Sequence, residues 1–183
     1  MVFLANQLAG IVLWWLGFTK YPSSEESSGS SFGLDITNGR LSPGKHLTYW
    51  HAPAKRINSF TSSSLHPIVF FHGIGCGLSA YVRFIYKLRK KNLNRPIILV
   101  ELPFVSMRLV ESVPKMHHVV SEISQLLKIH GYFKACFVGH SLGSVYCTWM
   151  VRQRSDLISS VVLMDPICFE LHKSHLVRLF FGW

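Results

Sequence analysis

Apolar residues follow two rhythms along this chain. Short runs rich in β-branched and aromatic side chains stand at residues 67–71, 97–100, 135–138 and 160–164. Each is too short for a helix and ends near glycine, proline or a polar residue, which predicts buried strands. Between them the spacing changes to that of a helix. Tyr81, Phe84, Ile85 and Leu88 recur at i, i+3, i+4 and i+7, and Met116, Val119, Val120, Ile123, Leu126 and Leu127 form a second stripe that closes at His130-Gly131. A third helix runs from Leu142 to about Arg154, and residues 47–50 suit an early strand. Strands alternating with helices of this length predict right-handed βαβ units: an α/β fold with a mostly parallel sheet and flanking helices.

The beginning of the chain departs from this alternation. Residues 2–18 are almost wholly apolar, interrupted by Asn6 and Gln7, and end at Trp14, Trp15, Lys20 and Tyr21. As a helix this run would reach about 25 Å, slightly short of the ~30 Å hydrocarbon core of a bilayer. A transmembrane anchor is the leading expectation, because tryptophans beside a lysine suit a membrane interface. A helix packed on the domain is the alternative; a cleaved signal peptide fits poorly, since no basic residue precedes the run. Residues 22–31 are Ser-rich and too polar to pack. The expected organisation is therefore an apolar helix over 1–20, a linker over 21–45, and the globular part over 46–183.

Hydrophobic residues make up 49% of the chain and charged residues 15%, an apolar balance for a domain of 183 residues. Lysine and arginine number 19 against 9 acids. The densest cluster, Arg83, Lys87, Arg89, Lys90, Lys91 and Arg95, contains no acid and reads as a solvated helix face or as attraction to an anionic membrane. No nucleic-acid recognition motif accompanies it, so no nucleic-acid partner is expected. Cys76, Cys136, Cys147 and Cys168 lack C-x-x-C spacing, and no N-glycosylation sequon occurs, both consistent with an intracellular, reducing compartment. His117-His118 are adjacent and point apart on a helix, so no metal is expected.

The chemistry is carried by Gly139-His140-Ser141-Leu142-Gly143, which follows a predicted strand and opens a predicted helix. That is the context of a nucleophile elbow, a sharp turn that lifts a serine hydroxyl above the sheet edge. Upstream, the strand at 67–71 runs directly into His72-Gly73-Ile74-Gly75, where a serine hydrolase places its other oxyanion donor. On these stretches, and on Met164-Asp165-Pro166, the chain resembles the α/β-hydrolase superfamily. It is similar to poorly characterised fungal, membrane-associated members, and the resemblance covers roughly residues 65–175 and stops short of the family's catalytic histidine.

The resemblance implies a serine hydrolase, esterase- or lipase-like, acting on lipophilic acyl esters without a cofactor. Ser141 would be the nucleophile and the backbone amides of Ile74 and Leu142 the oxyanion donors. His72 and Gly73 would support the oxyanion turn, and Asp165 is the acid placed to orient a base or simply a structural strand end. The base itself is missing: His140 adjoins the serine and its ring should be directed elsewhere, while His172 and His175 follow in a lid-like segment. The chain is thus expected to be C-terminally truncated, leaving a sheet edge that a partner or second copy would cover. A catalytically silent, membrane-associated binding protein is the alternative function. A rival motif also occurs: Gly75-Cys76-Gly77-Leu78-Ser79-Ala80 fits a dinucleotide fingerprint with Glu101 as its acid, although His72-Gly73 separate it from the strand.

Overall fold

The computed structural model describes residues 2–22, 47–55, 65–107 and 113–168, with side chains from residue 5. In chain order these are α1 (Val2–Trp15), β1 (Thr19–Tyr21), β2 (Thr48–Ala52), β3 (Ile68–Phe71), α2 (Val82–Lys91), β4 (Ile97–Glu101), α3 (Met116–Ile129), β5 (Ala135–His140), α4 (Gly143–Gln153) and β6 (Ile158–Met164). Together the strands make one sheet in the order β1-β2-β4-β3-β5-β6. β4, β3, β5 and β6 are mutually parallel, and β1 and β2 close one side antiparallel. This is the mostly parallel α/β sheet expected from the alternation of runs, in the α/β-hydrolase architecture that the resemblance implies.

Every residue of β2, β3 and β4 is buried, because helices cover both faces of the sheet. One face carries Val69, Phe71, Ile98, Val100 and Phe137 against Val120, Ile123 and Leu127 of α3 and Tyr146 and Met150 of α4. The other carries Ile68, Phe70, Ile97, Leu99 and Val138 against Ile85 of α2 and Leu13 and Leu16 near the end of α1. β6 is the outer strand of the parallel side, and its Val162 is exposed.

The expectation of a transmembrane helix is overturned here. Among the described residues no helix is long and apolar enough to cross a membrane. α1 has 14 residues and spans only about 21 Å. Instead, Ala9 and Leu13 turn into the domain and Gly10 lies against the indole of Trp50. A glycine bend at Gly17 (φ 84°) then returns the chain to the sheet as β1. The helix runs from Gly77, near Asn6, at the end of the sheet where β3 terminates, to Lys55 at the opposite end.

The basic cluster divides in two. Arg89 is buried and donates to the Pro53 and Arg95 carbonyls at 2.7 and 3.4 Å, while Arg95 donates to that of His66. These two hold loops together; Arg83, Lys87, Lys90 and Lys91 stay on the surface.

β2 and the end of α3 share a cluster of rings. Tyr49 bonds His130 Nε2 at 3.2 Å, His51 Nε2 bonds the Tyr132 hydroxyl at 3.0 Å, and the two imidazoles lie 4.0 Å apart. Burial, then the neighbouring charges of His130 and Arg89, push the His51 imidazole down to about 4. The unfolded chain takes up a proton on this residue near pH 6.5 and the folded one only near 4. Its contribution to stability is therefore full above pH 6.5 and is lost as pH falls towards 4, by about 3 kcal/mol at most. Chemical denaturation across that window should show this decline, and His51→Gln should flatten it.

Candidate active site

β5 ends at His140, and Ser141 follows in the left-handed region at φ 49°. That conformation costs a non-glycine residue roughly 1–2 kcal/mol and persists only where its surroundings fix it. Three bonds do so. Ser141 N–H donates to the Met164 carbonyl on β6 at 2.9 Å, and the Ser141 carbonyl accepts from the amide and the hydroxyl of Ser144 at 2.9 and 2.7 Å.

The flanking glycines are required by space. A Cβ on Gly139 would lie 2.5 Å from the Gly143 carbonyl oxygen, and one on Gly143 would run into the Phe71 carbonyl of β3. The first turn of α4 thus rests directly on the sheet backbone, and the Leu142 amide is among the donors that a helix start leaves unpaired. Among the described residues, neither the Leu142 nor the Ile74 N–H donates to a backbone acceptor.

His72 is fully buried and bridges two strand ends. Leu102 N–H donates to its Nε2 at 3.0 Å, so in the neutral ring the proton sits on Nδ1, which donates to the Gly73 carbonyl at 2.8 Å. Both nitrogens are engaged, which suits a strut and not a proton acceptor. Gly73 in turn abuts the elbow: a Cβ there would stand 3.1 Å from the Ser141 Cβ.

Two connections within this site escaped the sequence. The Tyr81 hydroxyl accepts from Gly73 N–H at 3.0 Å and meets His140 Nδ1 at 2.7 Å. The Tyr81 hydroxyl thereby joins the oxyanion turn to the residue before the serine. His140 Nε2 faces the Asp165 carboxylate at 3.5 Å, so the ring lies between Tyr81 and Asp165 at the border of the site. Ser144, fully buried, also receives Ile167 N–H on its hydroxyl at 3.1 Å, tying the elbow to the loop after β6. Asp165 begins that loop at φ 44° with its side chain largely exposed. His172 and His175 lie outside the described residues.

The stretch matching a dinucleotide fingerprint is built differently from one. Gly77–Tyr81 forms a 3-10 turn ahead of α2, and the Gly75 amide donates to the Val105 carbonyl. Glu101 is buried and accepts from the indole N–H of Trp50 at 2.7 Å.

Tyr81→Phe leaves Gly73 N–H without its acceptor. A loss of about 1–2 kcal/mol in denaturant-induced unfolding is expected, with Phe84→Leu as a packing control on the same helix.

The sequence model of the alpha/beta hydrolase fold family matches residues 66–181. No curated protein matches the chain. Among solved structures, carboxylesterase CesB of Bacillus subtilis is similar with a TM-score of 0.58 and 11% identity, over 90% of this chain and 48% of that one. Naproxen esterase of the same organism gives 0.57 and 13%, again over 90% and 48%. A bacterial membrane phospholipase A, described as a virulence factor, gives 0.56 and 12%, over 89% and 44%. At these identities the likeness is one of fold. This chain spans less than half the length of each of the three.

Proposed function

The chain belongs to the α/β-hydrolase family, and on that premise we propose that it is a serine hydrolase of esterase or lipase type, with Ser141 as nucleophile. The observation that carries this reading is the strained serine at φ 49°, held between two glycines that no other residue can replace without a backbone clash. In the proposed reaction the Ser141 hydroxyl attacks an acyl carbonyl, loses its proton to a base, and expels the alcohol to leave an acyl-enzyme that water hydrolyses. The Ile74 and Leu142 amides receive the oxyanion. His72 and Gly73 hold the first of these donors in place, and Asp165 supplies the acid of the constellation.

Neither histidine placed at the site is the proposed base. His72 is committed at both nitrogens, and His140 is held between Tyr81 and Asp165. Within this chain His172 and His175, which follow Asp165, are the candidates for the role. Among the described residues β6 is the outer strand of the parallel side, and a partner or second copy would pair there. Lipophilic acyl esters are the proposed substrates, by analogy with the esterase and phospholipase folds, and the kinship to intracellular, membrane-associated fungal hydrolases belongs to the same reading.

A fluorophosphonate probe tests it directly, because the serine oxygen displaces fluoride at phosphorus only when a base takes its proton. Covalent labelling that maps to Ser141 is the expected result. A folded chain that remains unlabelled overturns the reading in favour of a catalytically silent binding protein.

A further inference from the structure

The face of α1 turned away from the domain is apolar apart from Gln7. Leu8, Ile11, Trp14 and Trp15 are 62 to 74% exposed. At 100° per residue they fall within one stripe, opposite the buried Ala9 and Leu13. Monomeric domains rarely leave four large apolar side chains contiguous in water unless something binds them. What binds them is indicated by the neighbouring helix. α2 touches α1 and covers the same face of the sheet, so the outward sides of both helices look the same way. On α2 that side carries Arg83, Lys87 and Lys90, and Lys55 lies against Gly17 at the end of α1. The four carboxylates among the described residues, Glu101, Glu122, Asp156 and Asp165, all lie on other elements.

From this juxtaposition we infer that α1 and α2 form a docking surface for an anionic lipid bilayer, with α1 lying in the plane of the interface. The indoles of Trp14 and Trp15 and the side chains of Leu8 and Ile11 enter the headgroup–acyl boundary, where tryptophan is favoured. Arg83, Lys87, Lys90 and Lys55 meet the lipid phosphates and carboxylates. α1 keeps Leu13 in the sheet while doing so, and docking needs no unfolding of the domain. The surface lies on the flank of the sheet and extends along α1 towards the end where β3 terminates. It does not depend on Ser141 being active.

The test is flotation of the 183-residue chain and of its Ser141→Ala form with phosphatidylcholine vesicles, with and without phosphatidylserine, followed also by tryptophan emission. Both proteins should float with the anionic vesicles, shift their emission to the blue, and release as salt rises. Trp14→Gln/Trp15→Gln should weaken association about tenfold or more, and Lys87→Gln/Lys90→Gln about fivefold per charge on anionic vesicles. Both double variants replace exposed side chains, and circular dichroism confirms their folding. Failure of the folded protein to bind, or binding that neither variant changes, overturns the inference. So does a dimer in sedimentation that depends on Trp14 and Trp15 and already shields them, since a second copy is then the occupant.

Discussion

Ser141→Ala should reduce hydrolysis of a short-chain acyl ester by on the order of 10⁴-fold or more, with the fold intact. Among the described residues the hydroxyl bonds nothing that holds the turn: the three contacts that fix the elbow run through the Ser141 amide and carbonyl. Alanine keeps those and removes only the attacking oxygen. Ser141→Gly sharpens the expectation. Glycine occupies φ 49° without the steric cost borne by serine, so this variant should be equally inactive yet more stable by about 1 kcal/mol. Turnover and thermal unfolding measured on both variants check the pair of effects. Retained turnover in either one places the nucleophile elsewhere, and a destabilised Ser141→Gly removes the evidence for strain.

The second large effect lies two residues further on. Gly143→Ala should destabilise the domain by about 3 kcal/mol or more, or prevent folding at 37 °C. The added methyl meets the carbonyl of Phe71, and backbone in the middle of a sheet cannot rotate out of the way as a side chain can. Relief requires moving α4 off β3, which separates Tyr146 and Cys147 from their packing against the sheet. Gly131→Ala provides the comparison. It meets nothing within 4 Å and loses only the ease of φ 72°, so about 1 kcal/mol is expected there. Equal losses from the two substitutions would show that space at α4 is not what demands glycine.

Much of this architecture was legible in the sequence. The inner parallel strands β3, β4 and β5 were readable because each is buried on both faces and so appears as a largely apolar run, as at Ile97 to Val100. α3 was readable because only one side of it is buried. β1 was not, since three residues, Thr19–Tyr21, are too few to show a period. The fate of α1 was hidden for another reason. A helix apolar on all sides has the same composition whether its partner is lipid or a sheet, and only the structure separates Leu13 from Trp14. At the site, the elbow was visible because its requirements are local. The Tyr81–His140 contact joins residues 59 positions apart, and the Ser144–Ile167 contact joins residues 23 apart. Neither follows a local spacing rule.

The strand order carries a consequence for when the parts of the molecule assemble. β2 finds its inner neighbour in β4, and β1 reaches the sheet only through β2. β2 and β1 therefore join the sheet only after β4 has been synthesised and laid beside β3. Contacts closed over such a separation in sequence form slowly. Until then Leu13, Leu16 and Phe18, which end up almost completely hidden, face solvent or whatever apolar surface is at hand. The seating of β1 thus waits on a strand far along the chain, and a nascent chain halted before β4 should be markedly more prone to aggregation or chaperone capture than one halted after it.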